Sequence, residues 1–103
     1  MINYKDRKIV MSKYYNGNTA LLAMEDNGWE VYATLTVNPP EMQLKKGVVL
    51  LDVNNAGQEI IDILEAGDMI ERIMEVKIGY VWYPIVRLKD GFLDEVEDIS
   101  ECI

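Results

Sequence analysis

The stretch NGNTALLAMEDNG, residues 16–28, decides the fold of the amino-terminal half of the chain. An Asn-Gly dipeptide stands at each end of it, and the residues between them are mainly apolar. Asn-Gly tolerates the positive φ angles that a type I′ turn needs, so each dipeptide predicts a tight hairpin. Two hairpins in succession predict a three-stranded antiparallel meander over residues 8–15, 18–25 and 29–37.

The two turns also predict the register of this meander. A two-residue turn at Asn27-Gly28 places Met24 opposite Val31 and Leu22 opposite Ala33, and a two-residue turn at Asn16-Gly17 places Met11 opposite Leu22. A slip by one residue would move every side chain to the other face of the sheet. The predicted core face therefore carries Ile9, Met11, Ala20, Leu22, Met24, Val31, Ala33 and Leu35.

The reverse face of the predicted meander is half apolar and includes Tyr14, Leu21, Ala23 and Tyr32. Two interpretations remain open for it. Either the carboxyl-terminal segment covers this face, or the face binds a partner.

A buried strand and one amphipathic helix follow a loop over residues 38–46. Residues 47–53, GVVLLDV, form the continuous apolar run that is typical of a strand buried on both faces. Asn55 and Gln58 have capping-box spacing, and the helix is predicted to end at Ala66, with Gly67 as its stop. Its inward residues would be Ile60, Ile61 and Leu64.

The carboxyl-terminal part is less regular. Residues 68–77 fit either a second helix or a strand, and the alternation of apolar and charged residues favours a strand. A turn at Gly79 leads into a strand over 80–88, where Pro84 indicates an edge position or a bulge. Residues 90–103 predict a short acidic helix or a frayed tail. The expected fold class is α+β, a mostly antiparallel sheet with the amino-terminal meander, packed against one amphipathic helix.

Size and composition indicate a single cytoplasmic domain. The chain has 103 residues, half of them hydrophobic, which suits one core over residues 1–103. Cys102 is its only cysteine, so a disulfide framework is excluded and a reducing compartment is expected. The sequence has no apolar run of the roughly 20 residues that a membrane span needs, and no signal peptide pattern.

The charge is strongly acidic and unevenly distributed. The formal net charge is -8, yet the basic segment 1–13 carries +3, so the other ninety residues, including the acidic segment 90–103, carry -11. Phosphate backbones repel such a body, and direct nucleic-acid binding is not expected. A rival interpretation is a nucleic-acid contact made by Lys5, Arg7, Lys8 and Lys13 alone.

Catalytic and metal-binding motifs are not recognisable. Residues 52–57 resemble the start of a calcium loop, but its twelfth position, which needs a glutamate, is Ile63. A Cys102 nucleophile would need a base, and the chain has no histidine. We therefore expect no enzyme activity, no cofactor and no metal site.

Three segments carry a resemblance to a known family. They are residues 14–38, YYNGNTALLAMEDNGWEVYATLTVN, residues 49–57, VLLDVNNAG, and residues 80–88, YVWYPIVRL. Together they resemble a family of small uncharacterised proteins of bacterial mobile elements, plasmids and phages, over most of residues 12–88. The resemblance also implies that this family includes an anti-CRISPR protein directed at the type II effector nuclease.

The resemblance implies a function as a non-enzymatic inhibitor that binds a type II CRISPR effector nuclease or its guide complex. Such effectors hold nucleic acid in positively charged channels, which suit an acidic competitor. The alternative is an interaction module that binds another protein of the mobile element. A monomer is expected rather than a dimer. From charge and predicted exposure, the candidate contact residues are Tyr14, Glu25, Asp26, Glu30, Tyr32, Glu59, Asp62 and Glu65.

Overall fold

Two β-sheets form the framework of the protein. The structure is a computed structural model that describes residues 3–25, 30–39, 42–54 and 59–99. The strands are β1 (Asn3–Tyr4), β2 (Arg7–Lys13), β3 (Thr19–Met24), β4 (Val31–Thr34), β5 (Thr36–Val37), β6 (Val48–Leu51), β7 (Ile70–Ile78), β8 (Val81–Leu88) and β9 (Glu97–Asp98). The helices are α1 (Glu59–Ala66) and α2 (Asp90–Glu95). This arrangement confirms the predicted α+β class.

The first sheet contains the predicted meander. Its strands follow the order β1-β2-β3-β4, all antiparallel, and β9 pairs in parallel with β2. The strand β1 was not predicted. Lys5 and Asp6 connect it to β2 with φ angles of 51° and 63°, the two positive values of a type I′ turn.

The register of the first hairpin differs from the predicted one by one residue. Met11 lies opposite Leu21, where Leu22 was predicted. The reason is the loop length, because the Tyr14 amide donates to the Asn18 carbonyl (2.8 Å) and leaves three residues in the loop. The Gly17 amide donates to the Tyr14 carbonyl (2.9 Å), and Gly17 has a φ of 90°, as in a type I turn followed by a left-handed glycine.

This shift exchanges the predicted faces of β3. Leu21 and Ala23 are fully buried in the main hydrophobic cluster, together with Ile9 and Met11 of β2. Leu22, a predicted core residue, is half-buried. The prediction that Leu21 and Ala23 belong to the reverse face was therefore wrong.

The second hairpin follows the predicted register only next to its turn. Met24 lies opposite Val31 as predicted, but the residues of the turn itself, 26–29, lie outside the described part of the chain. Ala23 then pairs with Ala33, so Tyr32 is an extra residue in a β-bulge. As a consequence Leu22 lies opposite Thr34 and not, as predicted, opposite Ala33.

The chain passes from the first sheet to the second at Leu35, a fully buried residue between β4 and β5. Its amide donates to the Leu21 carbonyl (2.9 Å), and its carbonyl accepts from the Asp52 amide (2.9 Å). The second sheet has the antiparallel order β5-β6-β8-β7. It places β6 in the interior, as its apolar sequence predicted, and it confirms that residues 70–77 form a strand.

Pro84 lies on β8 just beyond the end of β6. The last pair between these strands joins Leu50 to Ile85, whereas Pro84 pairs only with Glu75 of β7. The missing amide of the proline therefore interrupts no ladder on the β6 side. Residues 74–84 continue as a two-stranded ribbon, which we call the β7–β8 arm.

Helix α1 packs against the second sheet with the predicted residues Ile60, Ile61 and Leu64. Its predicted cap, residues 55–58, lies outside the described part of the chain. The helix ends with the Asp68 amide bonded to the Glu65 carbonyl (3.0 Å) and the Met69 amide bonded to the Leu64 carbonyl (2.9 Å). These are the two bonds of a Schellman motif, and its left-handed residue is Asp68, with a φ of 56°, and not the predicted Gly67.

The acidic carboxyl-terminal segment is part of the folded core as far as residue 99. Phe92 of α2 is completely buried and belongs to the main hydrophobic cluster. Strand β9 then pairs with Val10 and Met11 of β2, and the Ile99 amide donates to the Met11 carbonyl (2.8 Å). Of the two predicted alternatives, the short helix is correct for residues 90–95.

Candidate protein-binding surface

The β7–β8 arm extends beyond the rest of the second sheet. Gly79 and Tyr80 form its tip, between the paired residues Ile78 and Val81. Gly79 has a φ of 65°, which is the first central position of a type II′ turn, where glycine is preferred. Among the described strands, β7 is the only one that pairs with residues 81–84 of β8, because the pairing between β8 and β6 ends at Ile85.

Large apolar side chains are exposed along this arm and at its base. The exposed fractions are 51% for Ile73, 59% for Met74, 97% for Tyr80 and 56% for Trp82. A shallow groove of about 560 Å³ lies towards the base of the arm, lined by Arg72, Ile73, Met74, Glu75, Trp82 and Pro84. Contiguous exposed apolar surface with a polar rim is typical of an interaction site.

The groove continues the core face of β8. Side chains alternate along a strand, so Trp82 and Pro84 lie on the same face as the buried residues Val86 and Leu88. Helix α1 is connected to this face near Arg72, whose guanidinium donates two hydrogen bonds to Glu65 (2.9 and 2.8 Å). The groove begins beyond this contact, towards the tip of the arm, where no described element covers this face of β8.

The charges at the base of the arm are largely satisfied within the chain. The hydrogen bonds from Arg72 lower the pKa of the Glu65 carboxyl below its ordinary value. On β7 and β8, Glu71 accepts a hydrogen bond from Arg87 (3.1 Å). Contacts in the groove would therefore depend mainly on apolar area and less on charge.

Of the eight predicted contact residues, the structure brings Glu25 and Tyr32 together around Arg7, and three of the carboxylates lie beside cations. Glu25 lies 3.7 Å from Arg7, Glu59 lies 3.6 Å from Lys5, and Glu65 is bonded to Arg72. Glu59 also raises the pKa of Lys5. Asp62 and Glu30 are exposed, and Asp26 lies outside the described residues.

The two predicted tyrosines differ from each other in their surroundings. Tyr14 is half-buried, and its hydroxyl donates to the Thr36 carbonyl (3.1 Å) and lies 2.8 Å from Thr36 Oγ1. Burial raises the pKa of Tyr14 above its ordinary value of 10.0. Tyr32 is 42% exposed, but the guanidinium of Arg7 stacks on its ring at 3.5 Å. The hydroxyl of Tyr14 therefore has a structural role, and a contact of Tyr14 with a partner stays a prediction.

The basic amino-terminal segment is not a free cationic patch. Lys5 and Arg7 lie beside the carboxylates just named, and Lys8 forms an ion pair with Glu97 of β9. These pairs connect the segment to the acidic body of the protein. Of the four predicted nucleic-acid contacts, Lys13 is the exposed cation with no ion pair among the described residues.

Residues 16–21, which belong to the first of the three segments that carry the family resemblance, have a structural role. Asn18 is buried, and its side-chain amide donates to Asn38 Oδ1 (2.9 Å) and to the Met42 carbonyl (2.9 Å). Its side-chain oxygen accepts from the Leu44 amide (2.9 Å). Thr19 Oγ1 accepts from the Gly47 amide (3.2 Å). The motif thus fixes the loop after β5 against the first hairpin.

Sequence analysis did not identify the β7–β8 arm as a candidate site. Trp82 was assigned to a strand of the sheet, and its exposure depends on where α1 ends and where β8 stops pairing with β6. The charged residues that alternate with apolar ones along β7 were the available sign that this strand lies at an edge.

The described residues contain neither a membrane-spanning helix nor a metal-binding cluster. No helix there is long and apolar enough to cross a membrane. No group of three or more cysteine and carboxylate side chains in the same ranges is arranged to hold a metal ion.

The fold and the arm define a small α+β protein of two sheets with an exposed apolar surface. The chain belongs to the family described as Domain of unknown function (DUF4313), which matches residues 8–98. This match extends beyond residues 12–88, the range of the resemblance, to residues 8–11 and 89–98. Neither the curated proteins nor the solved structures that were searched gave a match to the chain.

Proposed function

We propose that the protein is a non-enzymatic protein-binding module that contacts its partner through the β7–β8 arm. The observation that supports this proposal is the exposed groove beside Trp82, which continues the core face of β8 beyond the end of α1. Aromatic side chains in such positions are frequent anchors of protein interfaces. The arm would place them against a pocket or strand of the partner.

The overall charge supports a basic partner. With a net charge of -8, the protein is attracted to surfaces rich in lysine and arginine. Together with the sequence resemblance, this leads us to propose a type II CRISPR effector nuclease or its guide complex as the partner, with inhibition of cleavage as the result. The alternative partner is another protein encoded by the mobile element.

In this proposal the arm and the acidic body have different roles. Burial of Trp82 would supply most of the affinity, while the acidic surface would raise the association rate. Mimicry of DNA by Glu25, Glu59 and Glu65 is less well supported, because each of these carboxylates already lies beside a cation of its own chain.

A cleavage assay with purified type II nuclease and guide tests the specific partner. We expect stoichiometric inhibition by the wild type and a loss of about 2 kcal/mol or more, roughly thirtyfold in affinity, for Trp82→Ser. The control is Tyr15→Ser, because Tyr15 is 99% exposed at the tip of a different hairpin. Unaffected cleavage at large molar excess of the wild type would exclude this partner.

Site-specific photo-crosslinking in the host cell tests the role of the arm independently of the partner's identity. A crosslinker at position 82 should give one discrete product, whereas a crosslinker at position 15 should give none. Identification of the product by mass spectrometry distinguishes the nuclease from an element-encoded protein. Equal products from both positions would contradict the assignment of the arm as the contact surface.

A further inference from the structure

The outer edge of β7 is a self-complementary strand. Beyond the register shift between Arg72 and Met74, residues 74–78 pair with β8 without further irregularity and read Met-Glu-Val-Lys-Ile. A two-fold axis through Val76 would place Met74 opposite Ile78 of a second copy and Glu75 opposite Lys77 of it. We propose that this edge pairs with the same edge of a second copy, so that the protein forms a symmetric dimer.

The position of β7 permits such pairing. It is the terminal strand of the second sheet, and it has nine residues, longer than most edge strands that proteins leave exposed. An antiparallel pair of β7 strands would join two four-stranded sheets into one of eight strands. This is an isologous contact, in which each residue meets its symmetry equivalent, as dimers with two-fold symmetry require.

The side chains favour this register on both faces. On one face, Met74, Val76 and Ile78 would form a continuous apolar row across the axis, next to Val81 and Tyr83 of β8 in each copy. On the other face, each Glu75 would lie opposite a Lys77. In the part of the chain that the structure describes, Glu75 and Lys77 are exposed and have no ion-pair partner of their own.

The neighbouring registers are unfavourable. A shift of the axis to Glu75 would place the two Glu75 side chains opposite each other, and a shift to Lys77 would do the same for the two lysines. Like charges directly opposite each other destabilise a strand pair, whereas opposite charges stabilise it. The sequence of this edge therefore specifies one alignment. This dimer differs from the monomer that the sequence predicted. The sequence alone does not show that β7 is an edge strand.

Reversal of the charges at Glu75 and Lys77 tests the dimer. Each single variant, Glu75→Lys or Lys77→Glu, would place like charges opposite each other twice. We therefore expect the dissociation constant of the dimer to rise about tenfold or more. An equimolar mixture of the two variants restores both opposite-charge pairs, so it should form a heterodimer. The double variant Glu75→Lys/Lys77→Glu should form a homodimer like that of the wild type.

Sedimentation velocity over a concentration series measures these outcomes on the full chain, with circular dichroism as a check of folding. The controls Lys46→Glu and Asp94→Lys change the net charge equally at other exposed sites and should leave the dimer unchanged. Trp82→Ser, which tests the proposed partner groove, should also leave it intact, so failure of one proposal is distinguishable from failure of the other. A wild type that stays monomeric up to about 1 mM, or a mixture that does not recover the dimer, would overturn the proposal.

Discussion

Asp68 occupies a backbone conformation that glycine adopts more easily. It is the left-handed residue at the end of α1, with a φ of 56°. An aspartate there also brings a negative charge to the negative end of the helix dipole. Its carboxylate forms an ion pair with Lys89, with 2.5 Å between Oδ1 and Nζ. Because the Asp68 side chain is 86% exposed, this pair contributes little to stability.

We expect Asp68→Gly to stabilise the protein. The relief of the left-handed strain should raise the free energy of unfolding by about 0.5–1 kcal/mol, and the melting temperature by a few degrees. Urea unfolding measures the change. Lys89→Ala is the control for the ion pair and should change stability by less than about 0.5 kcal/mol. A lower stability of Asp68→Gly would mean that the ion pair outweighs the strain.

Asn18 is a second residue whose role is local and specific. Its buried side chain bonds to Asn38, Met42 and Leu44, so Asn18→Ala would leave several polar groups unsatisfied. We expect a loss of about 2–4 kcal/mol in the free energy of unfolding, measured by urea denaturation. The exposed neighbour Gln43, which bonds to the Asn16 carbonyl, provides the control. Gln43→Ala should cost less than about 1 kcal/mol, and an equal cost for both variants would contradict the role of Asn18.

At the scale of elements, Tyr14 connects the first sheet to the second. It follows β2, and its hydroxyl bonds to Thr36 in β5. Burial is the largest cause of its raised pKa, and the charge of Asp52 adds to it. The neutral hydroxyl is therefore favoured in the folded state.

The stability that Tyr14 contributes should depend on pH. Because its folded pKa is raised above 10.0, the contribution is fully present below pH 10.0 and decreases as the pH rises through the folded pKa. Tyr14→Phe should lose about 1 kcal/mol at neutral pH and show a smaller decrease in stability above pH 10 than the wild type. Tyr15→Phe is the control at the same hairpin. Parallel curves for the wild type and Tyr14→Phe would contradict the assignment.

The elements themselves were largely predictable, and their pairing was not. Asn16-Gly17 correctly located the first hairpin, but a loop of two residues and a loop of three differ only in whether Tyr15 belongs to the strand or to the loop. That difference moves Leu21 from one face to the other. The bulge at Tyr32 had a similar effect on the second hairpin, and neither choice is encoded in the dipeptides alone.

At the scale of the whole molecule, the carboxyl-terminal segment closes the core. Phe92 is fully buried among residues of both sheets and of α1, and β9 then pairs with β2. The acidic composition of residues 90–103 suggested a solvated segment. The sequence showed the charges, but only the packing of Phe92 and Leu93 fixed where the segment lies.

We expect Phe92→Ala to cost about 3–5 kcal/mol in the free energy of unfolding, because it opens a cavity in the shared core. Chemical denaturation followed by tryptophan fluorescence measures this loss. Asp94→Ala, an exposed residue of the same helix, should change stability by less than about 0.5 kcal/mol. A similarly small effect of Phe92→Ala would show that the segment is not part of the cooperative fold.

The sequence by itself determined the class of fold, most of the longer strands, the position of α1 and the acidic charge. These properties depend on local patterns, because alternation, helical spacing and turn dipeptides act over a few residues. Tertiary structure alone decided which carboxylates pair with cations, which face of β3 is buried, and that Trp82 and Met74 remain exposed. The buried face of β3 depends on one residue of loop length, and the ion pairs depend on which segments the fold brings side by side. The exposure of the arm depends on distant elements, because α1 and the pairing with β6 end before it, and a local pattern carries no information about that distance.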